Sequence, residues 1–133
     1  MRDLYRNLLP VPSIYAAAYT AAHDGDAYVD LLGFQGALIE IGAGDIPTGG
    51  ATYEFEVKES NDHVTFTAVA AAHLSGTEPT FADTDDNTIK TLGYIGGCRY
   101  LRVDLKAVTG TPGTGGNFFA NVIKGFPIHA PAV

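Results

Sequence analysis

The chain has no tryptophan and only one cysteine among its 133 residues. A lone Cys98 cannot close an intrachain disulfide or build the usual multi-cysteine zinc sites. The missing pair of cysteines and core tryptophan also argue against a true antibody-type domain. No apolar run approaches the ~18 residues of a membrane-crossing helix, so no membrane partner is expected. Basic side chains are scarce too: 8 Lys and Arg against 15 Asp and Glu give 8 − 15 = −7. Phosphate backbones are gripped through Lys and Arg, so this balance argues against direct nucleic-acid binding and describes an acidic, self-repelling surface.

The length fits one domain that buries roughly two-thirds of its unfolded surface and needs no metal or disulfide staple. Arg2, Arg6 and Ala16-Ala17-Ala18 loosely imitate a secretion signal, but Asp3, Asn7, Pro10 and Pro12 interrupt it. The expectation is a protein made in the cytoplasm.

The segment Lys90–Val108 organises the rest. Two β-type runs flank Gly96-Gly97, a pair suited to a tight hairpin turn with positive φ. In the second run Leu101, Val103, Leu105 and Ala107 alternate with Arg102, Asp104 and Lys106, one face inward and one in water. Cys98, at the head of that run, reads as a small buried hydrophobe rather than a nucleophile. Thr52 to Lys58 has the same pattern, with Tyr53, Phe55 and Val57 inward, and Ser60-Asn61-Asp62-His63 turns it into a return strand from Val64 to Val69. Further strands are expected over Ile14–Ala22, Tyr28–Leu32, Gln35–Ile41 and Asn117–Lys124. For Ile14–Ala22 the β-favouring Ile14, Tyr15 and Tyr19 outweigh the helix-favouring alanines. Ala70–Ser75 is a strand end or a single turn, and 76–87 and 109–116 are loops. The glycine-rich 42–50 segment lacks the spacing, lysine and following helix of a phosphate loop and reads as a turn.

With no helical crossovers, seven or eight strands imply an antiparallel two-sheet sandwich of jelly-roll or immunoglobulin-like kind. Three parts are expected: an N-terminal arm (1–13), the sandwich (14–124) and a proline-bearing tail (125–133). The arm's apolar Leu4, Tyr5, Leu8, Leu9 and Val11 either strap its own domain or contact a neighbour.

Chemistry-bearing patterns are few. Asp83, Asp85 and Asn87 have the alternate spacing that opens an EF-hand loop, but Thr88 stands where glycine is needed and Tyr94 where the glutamate belongs. A solvated acidic turn is the reading. His23, His63, His73 and His129 lack the close spacing of a jelly-roll metal site, so a cupin-type enzyme is the least favoured class. No serine sits in a nucleophile elbow. Neither catalysis nor a cofactor is expected. Tyr15, Tyr19, Tyr28, Tyr94 and Tyr100 leave a rival class open, a carbohydrate-binding module that stacks host-surface sugars on a tyrosine face, although core packing is the commoner use of tyrosine in a sandwich.

Met1-Arg2-Asp3-Leu4, Leu9-Pro10-Val11, Glu59 to Thr67, Gly93-Tyr94-Ile95-Gly96, Arg99 to Val103 and Pro127 to Pro131 occur in an order that spans nearly the whole chain. Through them the chain resembles a family of small proteins encoded beside the capsid gene in tailed bacteriophages, prophages and gene transfer agents. It departs from that pattern at His63, where the hairpin would carry glycine, and at Cys98, where Lys or Thr is more usual. The resemblance implies a head component of the virion, a capsid decoration or vertex spike-base subunit on the exterior of the shell. Its partners would be the major capsid protein, its own copies in a trimer or pentamer, and a fibre or spike protein. The resemblance implies no catalytic residues.

Overall fold

The computed structural model describes residues 3–128; His129 and Pro131 lie outside them. Ten strands follow in chain order: β1 (Leu8–Tyr19), β2 (Val29–Asp30), β3 (Phe34–Ala43), β4 (Thr52–Ser60), β5 (Thr67–Ala68), β6 (Leu74–Ser75), β7 (Thr80–Ala82), β8 (Ile89–Tyr94), β9 (Tyr100–Thr109) and β10 (Gly116–Pro127). Among the described residues there is no α-helix, only 3-10 turns at Ala71–His73 and Asp83–Asp85. Every pairing is antiparallel. One sheet has the order β1-β10-β3-β8-β6 and the other β2-β9-β4-β5, with β7 also on β4. The all-β, two-sheet expectation holds. Ten strands replace seven or eight because the segment 64–82 is divided into three very short ones.

The period of two places the core. Ile39, Ile41, Phe118, Ala120 and Val122 of one sheet face Tyr53, Phe55, Val57, Leu101, Val103 and Leu105 of the other, all buried. Each large apolar side chain so enclosed contributes about 1.5–3 kcal/mol. Two of the expected inward and outward positions change. Glu54 pairs with Ala107 while Phe55 pairs with Leu105, so Lys106 is an extra, bulged residue. Beyond the bulge the faces exchange, and Val108, not Ala107, packs on the core. Asp104 is on the outward face as expected, yet it is only 1 % exposed.

The hairpin expected at Gly96-Gly97 does not form. β8 pairs with β3 in one sheet and β9 with β4 in the other, so residues 95–99 cross between sheets. Neither glycine has positive φ. A side chain at Gly96 would stand 2.6 Å from the Tyr94 hydroxyl, so that glycine supplies space rather than handedness. The Tyr94 hydroxyl donates to Glu59 Oε2 (2.6 Å) and accepts the Cys98 N–H (3.0 Å), fastening the crossing loop. The hairpin β4–β5 does form, with Lys58 opposite Ala68. At its turn His63 has φ 53°, the conformation glycine adopts most cheaply.

Strand β1 begins at Leu8, inside the segment read as an arm, and runs through Pro10 and Pro12 against β10. Prolines are tolerated because β1 is an edge strand, where a missing N–H leaves no ladder bond broken. They also protect the edge. Two potential donors are gone, Leu4 O accepts the Leu8 N–H, Asp26 accepts the Tyr15 N–H, and the Tyr19 hydroxyl donates to Tyr15 O. Little is left on this side to capture a foreign strand. At the other terminus β10 continues to Pro127, into the segment read as a tail.

Ser13, completely buried, joins the two sheets where β1 shifts register. Its hydroxyl accepts the Val103 N–H (2.9 Å) and donates to Ala27 O (2.9 Å), and its carbonyl accepts the Ala27 N–H. Ser13→Ala strands a buried donor and acceptor together and is expected to cost about 1–3 kcal/mol in urea unfolding. A loss under ~0.5 kcal/mol would remove this role.

Candidate functional site

The described residues that could hold a metal do not converge. Among the described residues no group of three His, Cys, Asp or Glu side chains is placed to bind an ion. His23 bridges to Leu105 of β9, His63 is in the β4–β5 turn, and His73 closes a 3-10 turn. Asp83 accepts from the Gly49 and Gly50 N–H groups (both 3.3 Å), and Asp85 binds the Ala82 N–H and Lys90 Nζ (2.8 and 3.1 Å). Asn87, at φ 54°, reaches instead toward Asp45. The acidic run is thus spent on tying loops together at one end of the sandwich. The lowered pKa of Asp85 follows, first from the Ala82 N–H and then from Lys90.

The five tyrosines do not share a face. Tyr94 and Tyr100 are buried, Tyr19 is half-buried, and Tyr15 and Tyr28 are exposed on different sheets. Tyr28 stacks on His63 (centroids 5.4 Å, 19° between planes) and meets Tyr100 edge-on. Half-buried Cys98 is in the crossing loop, with its thiol pKa raised by burial first and by the Glu59 carboxylate second.

Apolar side chains are a different matter. Of the five apolar residues of the first segment, Leu4, Tyr5 and Leu8 are exposed, at 68, 75 and 39 %. Leu9 and Val11 are half-buried, and Val11 packs on the core. The alternation of β1 makes the division: Leu8 is opposite Gly125, on the outer face, and Val11 opposite Val122, on the inner one. Leu4 is in a turn closed by its carbonyl and the Leu8 N–H (3.0 Å).

Around Leu8 the outer face of the sheet carries residues that the linear reading did not single out: Leu38 on β3, Ile123 on β10, Ile95 just past β8, and Phe126 near the end of β10. They line one shallow apolar depression together with Leu8. Leu38 could have been noticed, since it is a large apolar residue at an outward position of the run Gln35–Ile41. Several charges at this end are tied down, while Glu59 and Asp62 meet hydroxyl and backbone donors rather than cations. Arg6 meets Asp3 at 3.3 Å, Arg99 holds Asp30 through two bonds of 2.9 and 2.8 Å, and Lys124 donates to Asp30 O. Arg99 holds the Asp30 carboxyl at about 2. The opposite end carries Asp45, Asp83, Asp85 and Asp86, of which Asp85 meets Lys90.

Comparison with known proteins finds no family model that matches the chain and no curated protein with significant similarity to it.

Proposed function

We propose that this chain is a structural subunit of a phage-like virion head, a capsid decoration or vertex spike-base protein. On this reading it assembles as a homo-oligomer on the exterior of the shell, with the major capsid protein as its partner. The strand order supports the fold this requires. β1 to β4 fall alternately in the two sheets, as do β8 to β10, and β1-β10-β3-β8 lies over β2-β9-β4. We read that winding as a jelly roll. A fold shared by shells, lectins and enzymes does not choose among them, so the surface must.

The single observation that carries the proposal is the division of the molecule into two ends. Leu4, Tyr5 and Leu8 gather with other exposed apolar side chains at one end, and Asp45, Asp83, Asp85 and Asp86 gather at the other. Such a body docks by its apolar end and presents an acidic face outward, where a fibre or spike protein would attach. Leu8 already belongs to β1, so the shortest informative truncation removes residues 2–7 and keeps the strand. Coexpressed with the capsid protein, the truncated chain should melt as the full chain does but fail to copurify with capsid. Undiminished capture would refute the docking role of this turn. The rival sugar-binding reading would rest on Tyr28 and His63, and a signal on a glycan array that Tyr28→Ala abolishes would favour it.

A further inference from the structure

Asp24 is the chain's only aspartate or asparagine followed by glycine. In such a pair the amide nitrogen after the aspartate can attack the side-chain carboxyl carbon and close a cyclic imide, because glycine has no Cβ to stand in the way. Here the new bond would join Gly25 N to Asp24 Cγ. The Gly25 amide proton and the carboxyl hydroxyl leave together as water. Water then reopens the imide, and opening at the former backbone carbonyl routes the chain through Cγ as isoaspartate, with an extra backbone atom.

The structure exposes one reactant of this step and restrains the other. The Asp24 side chain is 80 % exposed, with the Arg102 guanidinium at 4.0 Å. The attacking atom is engaged: the Gly25 N–H donates to Asp104 Oδ1 at 2.7 Å, and Asp104 is buried. Its neighbours are tied as well. His23 exchanges two backbone bonds with Leu105 (2.9 and 2.8 Å), Asp26 accepts the Tyr15 N–H (2.9 Å), and the Ala27 N–H bonds Ser13 O (3.1 Å). Gly25 is pressed so hard on β9 that a Cβ would stand 2.4 Å from Val103 O, so the strand itself limits how far the nitrogen can swing.

We infer that Asp24-Gly25 is a latent site of backbone isomerisation, and that the Gly25–Asp104 bond is the latch that keeps it from reacting. A nitrogen whose N–H is held by a buried carboxylate must be released before it can attack. Release breaks a bond to a charged acceptor, the stronger class of hydrogen bond. Once isoaspartate has formed, the added backbone atom displaces Gly25 from Asp104. The latch then does not close again, and the loop before β2 loses one of its ties to β9. The modification is therefore a one-way unlatching of this loop.

The test is isoaspartate at Asp24 in the full chain after incubation at neutral pH, read by peptide mapping, where the two linkages separate without a change in mass. The folded chain should form it at least about tenfold more slowly than the same chain unfolded in guanidinium chloride, the least that one hydrogen bond to a charged group implies. Asp104→Ala should raise the folded-state rate by a similar factor. Phe118→Ala, which weakens the core but leaves the latch alone, should not, and this separates the latch from stability in general. Folded and unfolded rates that agree would overturn the inference, as would a Phe118→Ala rate raised as far as that of Asp104→Ala. So would slower modification in Asp104→Ala, since Asp104 would then be drawing the proton off as a base. Where Asp104→Ala does not fold, hydrogen exchange at the wild-type Gly25 amide decides: slow exchange supports the latch, and exchange as fast as in the unfolded chain overturns it.

Discussion

Replacing Asp104 by alanine is expected to lower the free energy of unfolding by about 3–5 kcal/mol, the scale for breaking a buried ion pair from one side. Its carboxylate accepts from Arg102 through two bonds (2.7 and 2.8 Å), from the Gly25 N–H (2.7 Å), and pairs with Lys58 Nζ (3.1 Å). Alanine would leave two cations facing each other and a backbone donor without its acceptor. Gly25 sits so close to β9 that a Cβ there would meet Val103 O at 2.4 Å, and this carboxylate holds the loop before β2 to the sheet together with the His23–Leu105 backbone bonds. Against a typical total of about 5–15 kcal/mol the loss is large. Urea unfolding measures it, and a change below ~1 kcal/mol would show that Arg102 and Lys58 find other partners.

The same group gives the pH dependence its sign. Burial alone would raise the Asp104 pKa; the Arg102 guanidinium, the Gly25 N–H and Lys58 outweigh it and hold the carboxyl below its ordinary value. Asp30 is held at about 2, chiefly by Arg99, and Asp62 at about 2, chiefly by the Thr65 and Val64 N–H groups. For a depressed carboxylate the stabilisation is fully present above the unfolded pKa, about 3.9, and is lost as pH falls through the folded value. The melting midpoint should therefore be level from neutrality to about pH 5 and fall between about pH 4 and 2. Asp104→Asn should flatten part of that fall.

The second large effect is expected at Phe118. Its ring comes from β10 and lies among Tyr53 and Phe55 of β4 and Phe81 of β7, at centroid distances of 4.7, 5.3 and 5.3 Å. It joins the inner faces of the two sheets at 1 % exposure. Phe118→Ala removes that bridge and leaves a cavity, for a loss of about 3–5 kcal/mol. The urea midpoint should fall with little change in slope, because the surface exposed on unfolding is nearly the same. A drop under ~1 kcal/mol would mean that the neighbouring rings collapse into the space.

Much of the architecture could be read along the chain. The alternation in Tyr53-Phe55-Val57 and Leu101-Val103-Leu105 depends only on the pleat of a strand, and all six side chains are buried as it requires. The Gly96-Gly97 turn was misread because the same alternation serves a hairpin and a strand that crosses to the facing sheet. Which one forms depends on contacts far away in sequence, such as Tyr94 with Glu59. Ser13 looks like any small polar residue and Asp104 like an ordinary surface acid until Val103, Ala27 and Gly25 arrive beside them.

The candidate surface shows the same division. Leu4, Tyr5 and Leu8 are apolar near a terminus, and that much is visible in one dimension. That Leu9 and Val11 turn inward while Leu38, Ile95, Ile123 and Phe126 come to join Leu8 is decided by register, since β1, β10, β3 and β8 must first lie side by side. Composition and periodicity thus determined the class of fold and the acidity of the surface, because both are sums over local properties. The pairing of distant strands decided where the carboxylates are neutralised and where bare apolar surface collects, because position on a sheet is a property of neighbours and not of residues.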